Sequence, residues 1–124
     1  MNTYDAAQDL AAHLRAVLPA TVPTAVVTLD PDEAIAAVAA AAPTVLITPP
    51  RITYQTAHLA EAEWDLYVVG ATSDRATSWQ ATDAVLAALL AEVNVTEARP
   101  YDWRPDDGPP LVTYQVTIHT DHDY

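Results

Sequence analysis

Hydrophobic and polar residues alternate from Glu61 to Gly70. Ala62, Trp64, Leu66 and Val68 fall on one side, and Glu61, Glu63, Asp65, Tyr67 and Val69 on the other. That period of two predicts a strand with one face buried. The polar stretch from Gly70 to Ser78 breaks the pattern. Trp79, Val85, Leu86, Leu89, Leu90 and Val93 then recur at helical spacing, which predicts an amphipathic helix from Thr77 or Ser78 to about Glu92. This helix is expected to lie on the apolar side of the strand, and the rest of the chain to assemble around the pair.

The N-terminal part opens with a second helical stripe. Tyr4, Ala7, Leu10, Ala11, Leu14, Val17 and Leu18 share one face of a helix from Thr3 to Leu18. Thr3 is placed to cap it, Asp5 suits the first turn, and Pro19 ends it. Thr24 to Leu29 is a short β-branched run, read as a strand. In Asp30-Pro31-Asp32-Glu33, Asp30 is a good N-cap, Pro31 fits the first helical position, and Glu33 is spaced to close a capping box. A helix follows to about Ala41, with Ile35, Val38 and Ala42 inward, and Pro43 stops it.

Thr44 to Thr48 predicts a short apolar strand, and Pro49-Pro50 a bend. Arg51 to His58 alternates as another strand. It joins the Glu61 strand either as a hairpin or as one long bent strand. Asn94 to Trp103 is extended, and Pro100 within it argues for an edge position or a bulge. Arg104 to Pro110 reads as a loop and Leu111 to His119 as the last strand. The polar end, about 120–124, is expected to be a mobile tail. The element order is α-β-α-β-β-β-α-β-β. It predicts one α+β domain over residues 1–124, a mixed β-sheet with helices packed mainly on one face. The expected core comprises Trp64, Leu66, Val68, Trp79, Leu86, Leu89, Val116 and Ile118.

Composition narrows the function classes. The chain has 124 residues, no Cys and a net charge of −12. Without cysteine there are no disulfides and no thiolate metal sites. Five Arg and no Lys against 17 acids make a surface that repels phosphate and anionic lipid. An acidic surface still suits a channel through which a duplex must slide without sticking. The longest apolar candidate, Ala34 to Ala42, is too short to span a membrane, and the N-terminus lacks the basic and apolar regions of a signal peptide.

Candidate chemistry is sparse. Glu61, Glu63 and Asp65 line one strand face at spacings of about 7 Å, the residue types of a catalytic carboxylate set. No neighbour that would raise one of their pKa values is visible. His119-Thr120-Asp121-His122-Asp123 holds ligand-type side chains at close spacing, but a chain end gives no scaffold for a metal. His13 and His58 share no motif. With only Gly70 and Gly108 there is no glycine-rich phosphate loop, and Ser73 and Ser78 fit turn or capping roles better than nucleophilic ones. No catalytic, cofactor-binding or metal residue is assigned. Tyr101, Trp103 and Arg104 form an aromatic-basic cluster beside a proline-rich loop, the residue types enriched where proteins meet. Arg51, after Pro49-Pro50, is a further candidate contact.

Several segments together resemble a known family. They are the Thr3-to-Ala7 opening of the first helix, Thr48-Pro49-Pro50, Trp64 to Val69, the Trp79 helix, Ala98-Arg99-Pro100, and Tyr114 to Ile118. In this order and in a chain of this size they resemble the tail terminator proteins of long-tailed, siphovirus-type actinobacteriophages. The resemblance implies a virion structural protein with no catalytic residues or cofactor. It implies a ring, typically a hexamer, on the head-proximal end of the tail tube. The ring would end tube polymerisation and join the tail to the head connector, with DNA passing through its lumen. The implied partners are further copies of the chain, the tail tube protein and the connector or head-closure protein. The implied location is the virion neck, after synthesis in the host cytoplasm. A head-closure or other neck protein is the nearest alternative. A small acidic hydrolase using Glu61, Glu63 or Asp65, and an acidic mimic that occupies a DNA-binding protein, are alternatives of other classes.

Overall fold

The computed structural model describes residues 2–71, 74–104 and 111–123. The loop expected after Arg104, the turn role of Ser73 and the terminal Tyr124 lie outside the described residues. The elements are α1 (Thr3–Val17), a short 3-10 turn (Leu18–Ala20), β1 (Val26–Thr28), α2 (Pro31–Ala39), β2 (Thr44–Ile47), β3 (Arg51–Tyr54), β4 (Leu59–Val69), α3 (Arg75–Glu92), β5 (Asn94–Pro100) and β6 (Thr113–Asp123). They form the α+β fold that the pattern predicts. One mixed sheet has the order β1-β2-β4-β6-β5, with β3 paired to the other half of β4. Among the described residues only β1 and β2 run parallel, joined through α2.

Strand β4 is the axis of the sheet. Residues Leu66 to Val69 pair with β2, residues Ala60 to Glu63 pair with β3, and β6 pairs along its whole length. The open choice between hairpin and bent strand resolves as a hairpin, with residues 55–58 as its turn. Its closure is tight: the Gln55 and Thr56 amides both donate to the Leu59 carbonyl, at 2.9 and 3.2 Å.

Helices α1 and α3 cover one face. Ala11 and Leu14 of α1, Val85 and Leu89 of α3, and Trp64, Leu66, Val68, Val116 and Ile118 of the sheet form one buried cluster. Most expected core residues are therefore core, but Trp79 is not. It is 47% exposed, with the Arg75 guanidinium carbon 5.7 Å from its ring centre. The inner face of α3 runs through Ser78, Thr82, Val85 and Leu89, which puts Trp79 about 100° round from Ser78. Leu86 is partly buried against the cluster, and Leu90 points outward, 65% exposed.

Gly70 explains the small residue at the top of that helix. A Cβ there would stand 2.1 Å from Ser78 Oγ and 2.4 Å from the Ser78 carbonyl oxygen. The start of α3 can approach β4 this closely only because residue 70 has no side chain. Helix α3 begins earlier than its apolar pattern implies, with Asp74 at the N-cap. The Asp74 carboxylate accepts a hydrogen bond from the Thr77 hydroxyl. That bond and the Thr77 and Ala76 amides hold its pKa below the ordinary carboxylate value.

Other local readings need revision. Asn2, not Thr3, caps α1: its side chain accepts from the Asp5 amide at 3.0 Å. Asp30 does cap α2, accepting from the Asp32 amide at 2.9 Å. Glu33 does not reach back to Asp30; it accepts from the Thr28 hydroxyl at 2.7 Å, and that hydroxyl oxygen accepts from the Asp30 amide at 3.0 Å. The box is thus closed through Thr28. In α2 the deeply buried residue is Ala34, while Ile35 is 44% exposed. The helix ends with Ala41 at φ 59°. The Ala41 amide donates to Val38 and the Ala42 amide to Ala37, a Schellman closure with alanine where glycine is favoured.

Up to Asp123 the expected tail is strand. Thr120 to Asp123 continue β6 and pair with Ala62 to Leu59. Trp64 supplies part of the reason. Its buried indole N–H donates to Thr120 Oγ1 at 2.8 Å, and that hydroxyl lies 2.6 Å from His122 Nε2. A hydroxyl that accepts from the indole keeps one proton and a second lone pair, so it can also bond His122 Nε2, in the direction that the imidazole tautomer sets.

Candidate functional site

The second sheet face is assembled from the residues that alternate away from the core. Glu61, Glu63, Asp65, Tyr67 and Val69 of β4 lie in register with Asp121, His119, Thr117, Gln115 and Thr113 of β6. Beyond β6, Glu97 and Arg99 continue the rows of Thr117 and Gln115. On the other flank Arg51 stands opposite Glu63 and Thr53 opposite Glu61. Acids dominate this face: Glu61, Glu63, Asp65, Glu97 and Asp121 against Arg51, Arg99 and His119.

Helix α2 closes only one end of that face. Ala34 and Ile35 meet Leu46, Tyr67 and Val69, and the segment after β5 folds over from the other flank. The result is a cavity of about 290 Å³ whose lining includes Pro31, Tyr101, Trp103 and Thr113. Tyr101 is held by its amide, which donates to the Thr113 carbonyl at 3.0 Å, and the Leu111 amide donates to the Trp103 carbonyl at 3.0 Å. The Tyr101 ring meets Tyr67 edge-on, with ring centres 4.9 Å apart. Burial raises the Tyr67 phenol above its ordinary pKa. Tyr101 and Asp65 push the same way, and Arg99 opposes them.

The candidate contact residues thus divide. Tyr101 and Trp103 share one apolar cavity. Arg104 sits beside them and donates from Nε to Asp102 Oδ1 at 3.3 Å in an exposed pair. Arg51 is elsewhere, on β3 and opposite Glu63, nearer the far end of β4. A second depression of about 360 Å³ lies on the other side of the Tyr101 segment, lined in part by Arg75, Trp79, Pro100 and Tyr114. A third, of about 160 Å³, lies between Tyr4 and Pro49-Pro50.

The carboxylate row gains a partner that spacing does not reveal. His119 Nδ1 lies 2.5 Å from Glu61 Oε1, across a diagonal of the β4–β6 ladder. A carboxylate only accepts, so the shared proton comes from Nδ1. Asp65 Oδ1 accepts from the Thr117 hydroxyl at 3.1 Å. Glu61 is therefore tied to His119 and Asp65 to Thr117, and neither acid is paired with the other. None of the three cavities is lined by these groups. Among the described residues, no three His, Asp or Glu side chains converge as a metal cradle. His13 instead meets Glu92 at 3.6 Å, an exposed contact between α1 and α3.

Of the three strands paired on one side only, β1 and β5 are blunted as edges. Arg15 of α1 donates two hydrogen bonds, at 3.1 and 2.8 Å, to the Val27 carbonyl of β1. Strand β5 ends in Pro100 and is irregular between Val95 and Glu97, which disfavours a further strand pairing there. The edge position argued from Pro100 is the one observed. Compared with protein-family models and with curated proteins, the chain matches none.

Proposed function

We propose that this chain is a structural virion protein, a tail-terminator-type subunit that forms a ring on the head-proximal end of a phage tail tube. In this reading the ring stops tube growth, meets the head connector on its other side, and lets DNA pass through its lumen. The observation that carries the reading is the half-covered second face. It joins a field of acids to an aromatic-walled cavity in a chain of net charge −12. A lumen wall must not retain a polyanion, and one-signed charge meets that need. A ring subunit must also carry unlike surfaces that meet head to tail. Tyr101 and Trp103 on one side and the β3–β4 hairpin on the other meet that requirement. The segments that resemble tail terminators include β4, α3 and β6, which contribute about half of the buried cluster.

The experiment is imaging of the intact particle. The chain is expected as a ring at the neck, and particles made without it are expected to carry tubes of unregulated length. Its location at the head-closure position would transfer the assignment to another neck protein. Its absence from the neck would end the reading.

The hydrolase alternative draws on one observation, the contact between His119 and Glu61. A histidine oriented by a carboxylate is the beginning of a general-base arrangement. Both groups sit on an open sheet face, outside the cavities described above. Turnover of a small ester or phosphodiester that is lost in Glu61→Gln would favour this alternative; its absence leaves the pair as a strand-to-strand link.

A further inference from the structure

We propose that the cavity between α2 and the Tyr101–Trp103 segment binds a small, free quaternary ammonium ion of the choline type against the rings of Tyr67, Tyr101 and Trp103. The site goes beyond the ring reading above and does not depend on it. At about 290 Å³ the cavity is at the lower limit for small-molecule sites. Tyr67 and Tyr101 meet edge-on in it, with ring centres 4.9 Å apart and planes at 66°. In such a contact one ring gives a face and the other an edge. The pair is a corner rather than a stack, and ring faces are left over for a ligand. A cation within about 6 Å of such a face is attracted by the ring quadrupole. The chain makes that contact elsewhere, with Arg75 set 5.7 Å from the Trp79 ring centre. The arginines near the cavity are engaged otherwise: Arg99 donates to Gln115 and Arg104 to Asp102.

Charge around the cavity favours a cation. Asp30, Asp32 and Glu33 stand at the start of α2, beside the lining residue Pro31. Three carboxylates outweigh the partial positive charge of a helix N-terminus. Asp102, between Tyr101 and Trp103, offsets Arg104. Asp65 pushes the Tyr67 phenol up more strongly than Arg99 pulls it down, so the field at that ring is negative and the phenol stays neutral near neutral pH. In a chain of net charge −12 an anion is disfavoured on all these counts.

The lining also selects among cations. Its other walls are largely aliphatic, with Ile35, Leu46 and Val69 among them. The Thr113 hydroxyl is already committed, donating to the Leu111 carbonyl at 3.1 Å. A primary ammonium or a guanidinium would bring several N–H donors into a space whose remaining side-chain polar groups are two phenols and an indole N–H. Donors left unpaired there oppose binding. A quaternary ammonium has no N–H to satisfy, and its methyl groups suit aliphatic and aromatic walls alike. A choline carried on phosphate, as in a lipid headgroup, would bring an anion up to the Asp30, Asp32 and Asp102 carboxylates. The chemistry therefore points to the free ion rather than to a membrane surface.

The test is a titration of the isotope-labelled native chain followed by NMR at the Tyr101 and Thr113 amides. Choline chloride is expected to shift these signals saturably. Dimethylbutanol, the neutral carbon isostere of choline, is expected to bind about tenfold more weakly, and phosphocholine more weakly than choline. Trp103→Leu keeps apolar bulk but removes a ring face. It should lower choline affinity by about tenfold and leave the affinity for the isostere unchanged. Absence of a saturable shift, or an isostere that binds as tightly as choline, overturns the proposal. Phosphocholine binding as tightly as choline overturns the assignment to a free ion. Unchanged choline affinity in a Trp103→Leu chain that is folded by circular dichroism also overturns the site. Should that variant fail to fold, the three-ligand comparison on the native chain decides alone.

Discussion

Under α1 and α3, the side chains of Leu66, Val68, Val85, Leu89, Val116 and Ile118 are removed from water. On the opposite face Tyr67, Gln115, Thr117 and His119 keep part of their surface wet, and acids fill much of the remaining space. Both faces belong to the same two strands, so backbone pairing is common to them and the side chains make the difference. A fully buried aliphatic side chain contributes about 1.5–3 kcal/mol. An exposed pair such as Arg104–Asp102 contributes about 0–1 kcal/mol. Stability is therefore concentrated on the helix-covered face. The other face is left to charge, shape and contact, and its residues can change with little cost to the fold.

Substitutions on the two faces test that division. Trp64→Ala should have the largest effect, a loss of about 3–5 kcal/mol that unfolds most of the chain, read by urea denaturation. A loss near 1 kcal/mol would mean that the cluster under α1 and α3 is not the main support. Gly70→Ala comes next. The added methyl meets the Ser78 Oγ and also the Ser78 backbone carbonyl, which cannot rotate aside, and a cost of about 1–3 kcal/mol is expected. Thr120→Val removes the acceptor of the buried Trp64 indole and should cost a similar 1–3 kcal/mol or so. An unchanged melting temperature would show that the end of β6 is dispensable. Ala41→Gly should act the other way. It relieves a left-handed alanine at the end of α2 and is expected to add up to about 1 kcal/mol. The smallest effect on folding is expected for Trp103→Ala, within about 1 kcal/mol, together with weaker assembly in sedimentation. A collapse in melting temperature would move Trp103 to the supporting side of the comparison.

What the sequence reveals follows the same division. Alternation in β4 and β6 and the stripe of α1 mark the covered face, because there hydrophobicity and burial coincide. Helix α3 breaks that link. Its buried side includes Ser78 and Thr82 because Gly70 draws its start against β4, so small size counts for more than apolarity. The tryptophan that dominates its apolar pattern faces outward instead. The candidate site is less legible. Tyr101 and Trp103 stand out by residue type, but their cavity needs Ala34 from α2 and Tyr67 from β4, and only the fold shows that these meet. The contact between Glu61 and His119 depends on a strand register that no local pattern fixes. The polar residues from Thr120 onward look like a tail, and the one clue against that reading is the indole N–H of Trp64, which needs an acceptor once buried.

The continuation of β6 to Asp123, in register with Leu59, has a practical corollary. Any peptide fused downstream emerges beside the turn of the β3–β4 hairpin. Affinity handles or fluorescent labels attached there would crowd that turn, while labels attached ahead of α1 begin near Pro49-Pro50, off the second sheet face. Preparations labelled at the two ends need not report the same oligomer.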